Sequence, residues 1–141
     1  MITTTRSLFT DVASLLEASG VFRGGVHIGA VPDSLPTYPD ETVMEYVVIW
    51  PRIPAPIDDR PLNDLPLIDG RSYQFQTTLV SDDLLFLGDM IDATEAALTG
   101  IKIGGGYVNR VPESEPDGIL FDETLTPTRY WAPMIWRINA Q

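Results

Sequence analysis

RSYQFQTTLV (71–80) runs directly into SDDLLFLGDMIDATEAAL (81–98), and this change of period decides the fold. In the first stretch Tyr73, Phe75, Thr77 and Leu79 alternate with Ser72, Gln74, Gln76 and Thr78, which predicts a strand with one apolar face and one face that is wet or meets a partner. In the second, Leu84, Leu87, Ile91, Thr94 and Leu98 recur at helical spacing, with Leu85 and Met90 flanking them and Gly100 as the stop. Ser81 reads as the N-cap, with Asp82 and Asp83 in the first turn, where the helix dipole favours negative charge.

Upstream, MEYVVIW (44–50) is apolar on both sides of a two-residue repeat, as expected of a central strand covered on both faces. A first helix is predicted from Thr4 or Thr5 to Ser19, built on Leu8, Val12, Leu15 and Leu16 and stopped by Gly20. Between them, residues 21–41 read as irregular chain with a short strand at 26–28. Downstream, 101–109 reads as a strand weakened at Gly104, Gly105 and Gly106, and 130–139 as the last strand, an edge or bulged one because of Pro133. The expectation is one α/β (α+β) domain over 1–141: a mixed or antiparallel sheet of about four to five strands, two helices and long proline-rich loops. Leu15, Leu16, Val48, Phe75, Leu87, Ile91 and Trp136 are the predicted core.

The chain has 141 residues, a size that buries roughly 70% of its unfolded surface, so a core can form without staples. There is no cysteine, which excludes disulfides and thiolate metal sites. The N-terminal stretch carries no leader pattern and no run spans a bilayer, so a soluble, unexported protein without membrane contact is expected. Twenty acidic and nine basic residues give a net charge of -11, with Lys102 the only lysine, which opposes ordinary phosphate binding.

No catalytic set assembles. His27 is the only histidine, so neither a Ser-His-Asp triad nor a multi-histidine metal site is possible, and it reads as structural. The glycine triplet 104–106 lacks a following Gly-Lys-Ser/Thr and reads as a bulge or a close backbone approach rather than a phosphate cradle. Asp58-Asp59 and Asp122-Glu123 read as solvated loop residues, and Trp50, Trp131 and Trp136 as packing residues. No cofactor or metal is expected, and a carboxylate enzyme using Mg²⁺ is the minor alternative.

Two connections exceed the usual loop length. Residues 51–69 place Ile53, Ile57, Leu62, Leu65, Leu67 and Ile68 among five prolines, a composition that predicts an arm packing on a neighbouring subunit or partner. Residues 112–128 hold Glu113, Glu115, Asp117, Asp122 and Glu123 and no base.

The order of pieces resembles the tail terminator family of long-tailed phages. It runs from Ser7-Leu8-Phe9 through Leu16 to Met44–Trp50, then Tyr73-Gln74-Phe75-Gln76, the helix Leu84 to Leu98, and the strand Tyr130 to Asn139. The match covers nearly the whole chain and is one of layout and size; the 51–69 insertion departs from the commoner pattern. The resemblance implies a structural virion protein, not an enzyme. It implies a ring, commonly of six subunits, that caps the tail tube protein, offers a docking surface to the head-tail connector protein, and lets DNA pass as non-adhering cargo. Such a protein sits at the tail-neck junction of the virion and in the host cytoplasm during assembly. In that setting Glu113, Glu115 and Asp117 are expected to line or rim the channel as a negative collar, with a solvated outer loop as the alternative. Two other readings are an acidic DNA mimic that occupies a host DNA-binding protein, and another head-tail connector protein.

Overall fold

The computed structural model describes residues 4–56, 71–103, 105–121, 124–125 and 127–140. Helix α1 covers Thr5–Ala18 and starts where expected, because Thr4 and Ser7 form a reciprocal capping box: the Ser7 N–H donates to Thr4 Oγ1 at 3.0 Å and the Thr4 N–H to Ser7 Oγ at 3.1 Å. Its buried side is Leu8, Phe9, Val12 and Leu16. The chain leaves the helix through Gly20, whose φ of +76° is the left-handed conformation that a glycine adopts without steric cost.

The strands are β1 (Val26–Ile28), β2 (Tyr46–Pro51), β3 (Ala55–Pro56), β4 (Arg71–Ser81), β5 (Lys102–Ile103), β6 (Gly106–Arg110), β7 (Leu120–Phe121) and β8 (Tyr130–Ala140), with α2 at Leu84–Leu98 between β4 and β5. The main path is β1-β2-β4-β8-β6-β5, with β3 beside β4 and β7 beside β8 at the margins. Only β1 and β2 pair in parallel; the other pairs are antiparallel, so the sheet is mixed. The class is as expected, but the sheet is larger than the four to five strands predicted. The difference lies in strands of two or three residues, too short for any periodicity to register.

The alternation in β4 sorts the molecule into layers. Tyr73, Phe75, Thr77 and Leu79 are fully buried, and the register sets Ile138, Trp136, Met134 and Ala132 of β8 beside them. Val47 and Ile49 of β2 extend the same face, and both helices cover it; Phe9 meets Phe75 edge-on with ring centroids 5.7 Å apart. On the opposite face Tyr46, Val48 and Val80 form a smaller cluster with Val43, packed by Leu35, Trp50 and Trp131. The segment 29–45 therefore covers part of the outer face, which is why β2 is apolar on both sides.

Helix α2 differs from its expected register. Asp83, not Ser81, is the N-cap, accepting from the Leu85 and Phe86 N–H groups, while Ser81 is the last residue of β4 and its hydroxyl accepts from the Asp83 N–H. The buried stripe is Leu87, Met90, Thr94 and Leu98, so Met90 lies at the centre and Leu84 and Leu85 are exposed. Ile91 and Leu15, predicted as core, are only partly buried against it. Leu87→Ala is expected to cost about 2–5 kcal/mol in urea unfolding and Ile91→Ala clearly less. Equal losses would overturn the register.

Two further expectations are corrected. Residues 101–109 form not one weakened strand but a hairpin, β5–β6, with Gly105 at φ +86° in its turn. Strand β8 is central, between β4 and β6, although it contains Pro133. The register explains the tolerance. The Ile135 backbone N–H and C=O point away from β4, to Glu115 Oε2 and the Val111 N–H, so Pro133, two residues earlier, turns its nitrogen to that same side. There β6 pairs only with residues 136–138 and β7 only with 130–131, so the absent N–H falls in the gap between them.

Candidate assembly surfaces

Among the described residues the informative surfaces are the root of the arm, the acidic loop and the exposed apolar side chains. At the arm root the chain leaves β2 through Arg52, whose N–H donates to the Gln74 carbonyl at 3.1 Å and whose Nη1 donates to Gln74 Oε1 at 3.2 Å. The next residue, Ile53, is 94% exposed, and β3 then returns the chain to Ser72 and Arg71 of β4. Ile53 is thus an exposed apolar side chain at the root of the arm. Of the other predicted arm residues, Ile57, Leu62, Leu65 and Leu67 lie outside the described residues.

The acidic loop divides into two kinds of carboxylate. Glu113, in the short 3₁₀ turn Pro112–Ser114, and Asp117 are exposed. Glu115 has a side chain only 7% exposed, clamped by Arg110. The Arg110 Nε donates to Oε2 at 2.8 Å and Nη2 to Oε1 at 2.6 Å, while the Ile135 N–H donates to Oε2 at 2.9 Å. Arg110 also pairs through Nη1 with Glu95 of α2. One guanidinium thus joins the loop, the end of β6 and the helix, and the carboxylate satisfies an N–H left open beside Pro133. Asp122 and Glu123 lie outside the described residues.

Burial alone would push the Glu115 carboxyl up; the Arg110 and Ile135 hydrogen bonds and the Arg110 charge outweigh it and hold the group below the usual range. A depressed folded-state value contributes stability that is fully present above the unfolded value of about 4.3 and is lost as pH falls through the folded one. Glu115→Gln is therefore expected to be less stable than the wild type at neutral pH, with the gap closing as urea midpoints are followed down below about pH 4. A gap that stays constant across that range would show that the ion pair contributes nothing.

The remaining candidates are structural. His27 Nε2 lies 3.0 Å from the Gly24 carbonyl oxygen and its ring meets Tyr46 edge-on. Trp136 is fully buried and its Nε1–H donates to Thr77 Oγ1 at 3.0 Å, pairing two polar groups inside the core. Trp50 and Trp131 are half-buried on the outer face. Asp83 caps α2 while Asp82 precedes the cap, so neither acid lies in the first turn, where the sequence predicts both, and Asp58-Asp59 lie outside the described residues. Among the described residues no group of three or more histidines and carboxylates could hold a metal ion.

Sequence reasoning missed the exposed apolar side chains at the far end of the sheet: Leu84 and Leu85 at the start of α2, and Ile119, Leu120 and Phe121 at β7. Pairing of Phe121 with Tyr130, and of Tyr130 with Ser81, brings β7 to the end of β4 from which α2 departs. Phe121 stacks on Tyr130 at a 4.6 Å centroid distance yet remains 44% exposed. The signals were present as a leucine pair ahead of the helical stripe and an apolar triplet inside an acidic loop. Only the register shows that they share one end. Compared with known proteins, the chain matches no protein-family model and no curated protein.

Proposed function

We propose that the chain is a structural subunit of a phage tail neck, similar to a tail terminator, that assembles with copies of itself into a ring without performing catalysis. The observation that carries this reading is the order of elements. Amphipathic helix α1, strand β2, strand β4, helix α2, the β5–β6 hairpin, the acidic loop and strand β8 follow one another as in the layout on which the resemblance rests, with the 51–69 arm an insertion between β2 and β4 that departs from it. Ile53, bare at the root of the arm, supports assembly as the purpose of that insertion. The partners in this reading are the tail tube protein below, a head-tail connector protein above, and DNA passing through.

Light scattering and negative-stain microscopy of the purified protein test the reading directly. The expected result is a ring with a central channel and a mass several times 15.6 kDa. A monomer that recovers a DNA-binding enzyme from host lysate would replace this reading with the acidic mimic. The collar is tested separately. Because Glu115 is committed to Arg110, the channel-facing charge in this proposal belongs to Glu113 and Asp117. A negative wall repels phosphates within the roughly 8–10 Å that salt leaves unscreened. Phage carrying Glu113→Lys with Asp117→Lys is expected to assemble normally but to eject DNA more slowly, in a salt-dependent way. Unchanged ejection would remove the collar and leave the loop on the outside of the ring.

A further inference from the structure

A ring built from one kind of subunit needs two different surfaces on each copy, because a self-complementary patch closes into a dimer. Among the exposed apolar side chains of the described residues, which also include Ile28, Val31 and Tyr107, one group and one single side chain lie toward opposite ends of β4. Ile53 lies beside the Gln74–Ser72 stretch and Phe121 level with Ser81, so about eight residues of β4 hold them roughly 27 Å apart at about 3.4 Å per residue. One end presents Leu84, Leu85 at 84% exposure, and Phe121. The other presents Ile53.

Among the described residues the two ends also differ in charge. Around the first lie the exposed Asp40 and Asp83 and the half-buried Asp82, with Glu45 buried and bonded by the Tyr38 hydroxyl. Burial first, then the charges of Glu45, Asp83 and Asp40, raise the Asp82 carboxyl above its usual value. Arg23, beside Tyr38 and Glu45, and Arg129, beside Tyr46, offset this only in part. At the second end Arg52 and Arg137 flank Gln74, since Arg52 is bonded to Gln74 and Gln74 is in register with Arg137. Both arginines are exposed, and the ion pairs among the described residues are made by Arg110 rather than by either of them. Joining like ends sets acids against acids or arginines against arginines, whereas joining unlike ends pairs them and buries apolar surface on both sides.

We propose that the chain docks head to tail on copies of itself, the end carrying Leu84, Leu85 and Phe121 of one copy seating on the Ile53, Arg52 and Arg137 end of the next. This rests on the ring reading and names the contact that builds it. The contact is heterologous, so each subunit uses both ends, and a chain with one end blocked can still pair once through the other.

The test uses two full-length variants, one with Leu85→Glu and Phe121→Glu, the other with Ile53→Glu and Arg137→Glu. All four side chains are exposed, so circular dichroism is expected to match the wild type, with melting slightly lower in the first variant, which loses the stacking of Phe121 on Tyr130. Light scattering is expected to give a ring for the wild type, 15.6 kDa for each variant alone, and a species of twice that mass when the two are mixed in equal amounts. Variants that assemble like the wild type would overturn the docking while leaving the ring standing, as would monomeric variants that fail to pair on mixing. A wild type that stays monomeric up to millimolar concentration would overturn the docking together with the ring reading.

Discussion

Gly106→Ala is expected to be the most damaging single-methyl change in this protein. A Cβ at that position would sit 2.6 Å from the Asn139 carbonyl carbon and nearer still to its oxygen, with the Ile138 Cγ2 at 3.2 Å. The obstacle is the backbone of β8, a central strand of the same length as β4, which is held along its other side by β4 and cannot swing away as a flexible side chain would. Either the β5–β6 hairpin lifts off, exposing Val108 and Ile103, or β8 distorts. Both outcomes lose buried apolar surface, and the cost expected in urea unfolding is about 4 kcal/mol or more, at the exceptional end for a point change. Set against a total stability of about 5–15 kcal/mol, that leaves a chain near unfolding at 37 °C. Gly105→Ala, in the adjacent turn with open space around it, carries only the strain of its φ of +86° and is the matched control. If the two variants melt together, the close approach of Gly106 to Asn139 is not a constraint.

Trp136→Ala is expected to cost about 3–5 kcal/mol for the lost side chain and the cavity it leaves. Trp136 is the largest of the fully buried side chains, and its neighbours are held by two helices on one side and the sheet on the other, so collapse into the space is limited. Part of the loss comes from Thr77, whose buried hydroxyl keeps the desolvation penalty of about 1–3 kcal/mol when its donor is removed. Trp136→Phe isolates that part, because it retains most of the ring volume while removing the N–H. Adding Thr77→Val to Trp136→Phe is expected to recover stability, since removing both partners of a buried hydrogen bond is nearly neutral. A double-mutant cycle that shows no coupling would mean that the indole packs without using its bond to Thr77.

The elements with strong local signals were legible before any coordinates. The alternation in 71–80 named the buried face of β4 residue by residue, and a start at Thr4 or Thr5 with a stop at Gly20 brackets α1, while the Ser7 half of the cap shows only in the structure. Leu87, Thr94 and Leu98 were also identified correctly, because helical spacing is a property of the chain itself. Where two stripes on one helix are similar in hydropathy, spacing cannot choose between them. Met90 is buried and Leu84 exposed because of where α2 lies on the sheet, and that is decided by Tyr73 to Leu79 and Ala132 to Ile138 rather than by the helix.

For the candidate surfaces, composition placed Ile53 in a proline-rich arm expected to pack on a neighbouring subunit or partner, and the fold leaves Ile53 exposed. It could not separate Glu115 from Glu113 and Asp117, which look alike in a run of acids. Arg110 and Glu115 are five residues apart around a 3₁₀ turn, and Glu95 comes from another element, so no regular spacing announces the network.

What the chain determined by itself is everything set by nearest neighbours: caps, period, turns at glycine, the absence of thiols, and a net charge of -11. What only the tertiary structure decided is everything that depends on residues distant in sequence arriving at one place. Strand β8 could become central despite Pro133 because β6 and β7 stop short on either side of it and Glu115 supplies an acceptor for Ile135. Leu85 and Phe121, 36 positions apart in the chain, share one end of the sheet because β4, β8 and β7 are in register there. The physical reason is the same in each case: local conformation follows short-range sterics and hydrogen bonding, whereas burial and surface patterning follow the pairing register of strands that local sequence does not encode.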